Sequence, residues 1–154
     1  MSRWNNKIVI FDLDGTLADI TARRNLATKD DGRMNWSIFQ DPKNIDLDVP
    51  NQKVVDMLDM INNTDKYQIY ILSGRWDGTK DVTIDWLSNH GIHYDHLIMR
   101  PEKHLYMADN DLKQGWLDDI GVDNVAMVFD DRNQVVDMWR QNGLTTFQVA
   151  EGDF

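Results

Sequence analysis

The apolar run Ile8-Val9-Ile10-Phe11 leads straight into Asp12-Leu13-Asp14-Gly15-Thr16, and this junction constrains the chain more than any other stretch. Four successive apolar residues read as a short buried strand. Two carboxylates, two residues apart, then stand at its carboxyl end, with a glycine turn and a hydroxyl behind them. Open α/β sheets bind ligands at that end of their strands. A carboxylate attacks phosphorus only where a metal and fixed donors neutralise the phosphoryl oxygens. A second carboxylate can then protonate the leaving oxygen and later activate water. In isolation, however, Asp and Gly are ordinary turn residues, and the rest of the chain has to decide between the two readings.

Strand-like and helix-like patterns alternate beyond this point, which predicts an α/β domain with a mainly parallel central sheet flanked by helices. Lys7–Phe11 reads as the first strand, Tyr67–Leu72 as a second ending in Ser73-Gly74-Arg75, and His96–Met99 as a short third. Val125–Phe129 is a fourth, ending in Asp130-Asp131, and Thr145–Val149 closes the sheet. Helical spacing places Val54, Met57, Leu58 and Ile61 on one face of a helix over Asn51–Asn62. Further helices are expected over Thr79–His90, stopped by Gly91, and over Asp109–Ile120, with an Asn or Asp at its start as cap and Gly121 past its end. A last helix, Arg132–Gln141, turns Val135, Met138 and Trp139 inward and stops at Gly143.

Residues 18–50 break the alternation. The stretch contains Gly32, Pro42 and Pro50 together with the bulky apolar residues Trp36, Ile38 and Phe39. A connection this long within one domain is a lid, a binding loop or disorder, and its apolar residues favour a small cap or flap beside the site. The 154 residues make one domain, 1–154, with that insertion. Zero cysteines excludes disulfides and thiolate metal sites. The N-terminus lacks a signal-peptide core and no apolar stretch is long enough for a membrane helix, so a cytoplasmic setting is expected. A formal net charge of −10 argues against an extended nucleic-acid-binding surface, though not against a single terminal phosphate.

Three strand ends therefore carry candidate chemistry: Asp12 with Asp14, Ser73, and Asp130 with Asp131; Lys113 stands near the start of a helix. Carboxylates from two strands make a hard oxygen site suited to Mg²⁺. A serine hydroxyl and a lysine charge suit phosphoryl oxygens. Each has a plainer explanation alone: a helix cap for Asp130-Asp131, a turn for Ser73-Gly74, a solvated helix lysine for Lys113. All of them in this order, on these strand ends, make coincidence a poor account.

With these four motifs the chain resembles the haloacid-dehalogenase (HAD) superfamily of phosphotransferases. The resemblance implies a Rossmann-like fold, Mg²⁺ dependence and an aspartyl-phosphate intermediate. It makes Asp12 the nucleophile and Asp14 the general acid/base. Mg²⁺ is then held by the Asp12 carboxylate, the Asp14 main-chain carbonyl and Asp130, with Asp131 helping through water, while Thr16, Ser73 and Lys113 hold the phosphoryl group. A narrower likeness lies in Ser73-Gly74-Arg75 with Gly78-Thr79-Lys80, in the stretch Asp130–Arg140 and in Gln148–Phe154. These are similar to the phosphatase domain of bacteriophage polynucleotide kinases, which removes 3′-phosphates from nucleic-acid ends and nucleotides. That likeness adds Arg23 and Arg75 as substrate-phosphate ligands, with Gly74 beside them, and Asp109 as a residue orienting basic side chains. Gly74 to Lys80 has the wrong spacing for a phosphate-binding kinase loop, so no kinase domain or kinase activity is expected.

His90, His93, His96 and His104 cluster, but Gly91 interrupts any helical face they could share, and they read as helix-end and loop residues rather than metal ligands. Trp86, Trp116 and Trp139 occupy core-facing helical positions; Trp76 and Trp36 are candidates to stack on a nucleobase, with packing as the alternative. The expected partner is a phosphorylated nucleic-acid end or nucleotide, and no membrane. A small-molecule or 5′-nucleotide phosphatase of the same chemistry is the competing reading. A non-catalytic HAD-like binding module is disfavoured because both Asp12 and Asp14 are present.

Overall fold

The computed structural model describes residues 6–154, so the first five residues of the N-terminal stretch lie outside it. Its centre is a five-stranded sheet built from β1 (Ile8–Phe11), β4 (Gln68–Trp76), β5 (His96–Arg100), β6 (Val125–Asp130) and β7 (Thr146–Gln148), in the order β5-β4-β1-β6-β7. Every neighbouring pair is parallel. The chain moves outward from β1 through β4 to β5, returns to the other side of β1 with β6, and ends at β7. The order therefore reverses between β1 and β6, and their carboxyl ends flank the crevice where such sheets bind ligands.

The side-chain period of two divides each central strand between two cores. Val9, Phe11, Ile69 and Ile71 face one side. There they meet Val54, Val55 and Leu58 of α3 (Gln52–Asn62) and Trp86 and Leu87 of α4 (Lys80–Asn89). Ile8, Ile10, Leu72 and Val128 face the other side. Their partners are Leu117 of α5 (Asp109–Ile120) and Val135, Met138 and Trp139 of α6 (Asn133–Gln141). Burial on both faces explains why these strands read as continuous apolar runs. Phe11 and Phe129 stack with ring centroids 4.5 Å apart, joining β1 to β6 at the end where the carboxylates begin.

Residues 18–50 leave and rejoin the body through a two-stranded antiparallel ribbon, β2 (Ala18–Asp19) with β3 (Val49–Pro50). Between these lie α1 (Thr21–Ala27), α2 (Trp36–Phe39) and a 3₁₀ segment at Pro42–Leu47. Ile45 anchors the segment in the first core. Among the described residues no helix is long and apolar enough to cross a membrane.

Several boundaries differ from expectation. β4 does not end at Leu72 but runs through Ser73, Gly74 and Arg75 to Trp76, with a register shift against β5 between Ser73 and Trp76. The expected turn is thus a bulge, a device that re-aims side chains beside sites. α5 begins with Ala108 at its cap and no side-chain cap bond, because Asp109 is engaged elsewhere. The buried face of α3 is rotated, with Val55 inside and Met57 exposed. Trp116 is only half-buried against the second core.

Candidate active site

Asp12 follows β1, and its amide donates to the Phe129 carbonyl at 2.9 Å, so the first carboxylate is tied to β6 by the sheet ladder itself. Asp130 ends β6 and Asp131 follows it. The three carboxylates converge, with one oxygen from each lying within 4.8 Å of the others, and all three residues are buried. Lys113, from the second turn of α5, places Nζ 2.7 Å from Asp12 Oδ1 and 3.3 Å from Asp130 Oδ2. Thr16 Oγ1 lies 3.3 Å from Asp12 Oδ2 and 3.2 Å from Asp131 Oδ1. Three carboxylates against one ammonium leave two negative charges without a partner. Burial, with Asp130 beside it, pushes the Asp12 carboxyl well above its usual range despite Lys113. Burial likewise raises Asp131. Hard oxygen donors carrying uncompensated charge of this size fit a divalent cation such as Mg²⁺.

Lys113 has the opposite balance. Desolvation alone favours its neutral form, but Asp12 and Asp130 outweigh that and raise its pKa, so it stays charged. Ser73 is buried at the β4 bulge, where its Oγ accepts from the Arg75 amide at 3.1 Å. At Gly74 a Cβ would lie 2.8 Å from Asp109 Oδ1, so the bulge and the start of α5 approach through a bare backbone.

Asp14 lies apart from the other carboxylates. Its Oδ1 accepts from Arg23 Nη2 at 3.0 Å and from Arg75 Nε at 2.8 Å. Burial pushes its carboxyl up, but Arg75 and Arg23 outweigh burial and hold it below the usual range. The two arginines, expected at a substrate phosphate, are themselves buried and shared with Asp48. Asp109 meets Arg100 and, at 2.8 Å, Arg132; it does not reach Arg23 or Arg75.

Asp48 and Arg100 carry no signal of a role in the sequence, and Arg132 none beyond its place in the stretch Asp130–Arg140. Arg100 ends β5 and donates to the carbonyls of Gly74, His104 and Met107, tying the 101–108 loop to the bulge. Nothing local separates these residues from surface charges; only their burial and partners do. Of the two candidate stacking residues, Trp36 is 60% exposed and meets Phe39 edge-on, while Trp76 is half-buried with its ring against Gly78.

Residues 6–154 match the family described as the polynucleotide kinase PNKP phosphatase domain. This chain belongs to that family. It is a phosphatase of the HAD type. Two solved structures, of the Pnkp1/Rnl/Hen1 complex and of the Pnkp1/Rnl/Hen1 RNA repair complex, contain chains 34% and 35% identical to it, each with a TM-score of 0.76. Both matches cover 97% of this chain but only 48% and 44% of those chains, so the protein spans less than half their length. A HAD family enzyme from Bacteroides thetaiotaomicron, in complex with magnesium and inorganic phosphate, shares the fold at 13% identity and a TM-score of 0.59, covering 97% of this chain and 96% of its own.

Proposed function

We propose that this phosphatase is Mg²⁺-dependent, works through an aspartyl-phosphate on Asp12, and removes terminal 3′-phosphates from nucleic-acid ends or nucleotides. The observation that carries this reading is the setting of Asp12: buried at the β1/β6 crevice, between a lysine ammonium, a threonine hydroxyl and two further carboxylates. An Asp12 oxygen attacks phosphorus in line. Asp14 gives a proton to the departing oxygen and then takes one from the water that hydrolyses the acyl phosphate. Thr16, Ser73 and Lys113 hold the phosphoryl oxygens, and Lys113 offsets charge that grows in the transition state. Mg²⁺, held by Asp12, Asp130, Asp131 and the Asp14 main-chain carbonyl, would neutralise those oxygens when bound. Residues 18–50 form a small cap beside the site, and within it Arg23, with Arg75 from β4, acts on Asp14. The 3′-phosphate assignment is supported by family membership and by the Pnkp1 neighbour found in an RNA repair complex. The acidic net charge of −10 favours the competing reading, a phosphatase of small nucleotides.

The deciding experiment compares kcat/KM for a 3′-phosphorylated oligonucleotide, a 3′-mononucleotide, a 5′-mononucleotide and an aryl phosphate, with and without excess EDTA. The oligonucleotide or 3′-mononucleotide should lead, and EDTA should abolish turnover of all four. A preference for the 5′-mononucleotide would replace the substrate assignment, and full activity in EDTA would remove the metal. Asp12→Asn, nearly isosteric, should eliminate turnover and beryllofluoride trapping while remaining folded by circular dichroism; residual turnover would exclude Asp12 as nucleophile.

A further inference from the structure

The side chain of Asp48, just before β3, has no exposed surface, a rare position for an aspartate unless it is paired. Its Oδ1 accepts from Arg23 Nε at 3.0 Å, and its Oδ2 accepts from Arg23 Nη2 at 2.9 Å and Arg75 Nη2 at 2.7 Å. The fork on Arg23 is bidentate, the geometry that fixes a guanidinium plane most firmly. The Asp48 carbonyl is held in turn by Trp86 Nε1 at 3.0 Å. The remaining guanidinium nitrogens are also placed: Arg23 Nη1 donates to the Phe39 carbonyl and Arg75 Nη1 to Thr83 Oγ1, each at 3.1 Å. Two arginines and two aspartates thus form a closed, charge-balanced ring that joins the 18–50 insertion to β4 and α4.

Within the ring Asp14 is engaged through one oxygen only. Arg23 and Arg75 both donate to Oδ1, and among the described residues no donor reaches Oδ2. The Asp14 side chain keeps 23% of its surface exposed, whereas those of Asp48 and both arginines keep 3% or less. One oxygen is therefore clamped, and the other is left free on the accessible side.

We infer that Asp48 is a positioning residue for leaving-group protonation: it anchors Arg23 and Arg75 so that they clamp Asp14 Oδ1, turn Oδ2 to the accessible side, and stabilise the Asp14 anion that proton transfer leaves behind. This rests on the reading of Asp14 as the general acid. In that step the bond from Asp12 to phosphorus forms as the bond from phosphorus to the leaving oxygen breaks. The proton on Asp14 Oδ2 passes to that oxygen, and Asp14 is left as an anion against the two guanidiniums.

A general acid matters in proportion to the basicity of the leaving group. The parameter kcat/KM runs to the first irreversible step, departure of that group, so the test reads kcat/KM on two substrates. A nucleoside 3′-phosphate expels an alkoxide that needs a proton; 2,4-dinitrophenyl phosphate expels a stable anion that does not. Asp48→Asn should lose about 10²-fold on the first substrate and stay within about threefold on the second. Asp14→Asn should show the same split, more deeply. Equal losses of Asp48→Asn on both substrates, or no loss on either, would overturn the inference. If Asp14→Asn itself lost equally on both, the acid role would fail and the inference with it; a split in Asp14→Asn but not in Asp48→Asn would sink the inference alone. Thermal melting monitored by circular dichroism checks folding. Should Asp48→Asn not fold, Thr83→Val, which strips Arg75 Nη1 of its acceptor, carries the test: a smaller split in the same direction supports the inference, and equal or absent losses overturn it.

Discussion

Gly15 is constrained twice over. Its backbone lies at φ +82, where an L side chain is strained, and a Cβ there would sit in hard contact with the Asp131 carboxylate. The left-handed backbone alone costs a non-glycine residue about 1–2 kcal/mol. The contact adds a functional penalty, because Asp131 would have to leave the position in which it faces Asp12 and Asp130. Gly15→Ala should therefore lower the melting temperature and weaken Mg²⁺ binding by about tenfold, the usual effect of disturbing groups that orient metal ligands. Isothermal titration with Mg²⁺ checks this; unchanged affinity would show that Asp131 is not part of the metal site. Gly74 makes a related case, since the short approach of the β4 bulge to Asp109 leaves no room for a side chain.

Elements here serve packing and chemistry together. α6 is held by Val135, Val136, Met138 and Trp139, all buried. Trp139, fully buried in the second core, also donates Nε1 to Asp130 Oδ2 at 3.1 Å, the same oxygen that Lys113 approaches. The helix that buries the most apolar bulk thus fixes the rotamer of a carboxylate at the end of β6. Trp139→Phe keeps most of the ring volume but removes the donor. It should cost stability by about 1–3 kcal/mol, from a smaller ring and one lost hydrogen bond to a buried acceptor. The larger signature is expected at the site: Mg²⁺ affinity reduced by about 10-fold, read by titration. A stability loss with unchanged Mg²⁺ affinity would confine Trp139 to packing.

Across the whole molecule the charge distribution would make binding of the proposed metal and pH interdependent. The folded state raises the carboxyls of Asp12 and Asp131, chiefly through burial. A group whose folded pKa lies above its unfolded value binds protons preferentially in the native state, so its contribution to stability falls as pH rises through the interval between the two. Asp14 has the opposite sign: Arg75 and Arg23 outweigh its burial and lower it, so the stability it adds is lost as pH falls through its folded pKa. The metal-free protein should accordingly lose stability as pH climbs from the ordinary carboxylate range, about 4, toward neutrality. Mg²⁺ should offset that loss and raise the melting temperature more at pH 7.5 than at pH 5. Melting curves at the two pH values, with EDTA or with Mg²⁺, test this; an equal Mg²⁺ effect at both would contradict the placement of buried, charge-strained carboxylates in the metal site.

Much of this was legible in contiguous residues. Apolar runs mark β1 and β6, glycines mark the ends of α4 and α5, and the order of Asp12, Ser73, Lys113 and Asp130 along the chain carries the family likeness, because strand patterns and turn residues are encoded within a few neighbouring positions. The continuation of β4 through its bulge was not legible, since Ser73-Gly74 reads as a turn until β5 pairs beside it. Nor was the uncapped start of α5, where Asp109 gives up a local role for Arg100 and Arg132. Asp48 was one acidic residue among 26 until the fold buried it between two arginines. What the sequence alone determined is where most strands and helices outside residues 18–50 lie and which chemistry their ends can hold. Only the tertiary structure decided which charges are paired, because partners such as Arg75 and Asp48 meet through the convergence of separate elements, and no local periodicity records that.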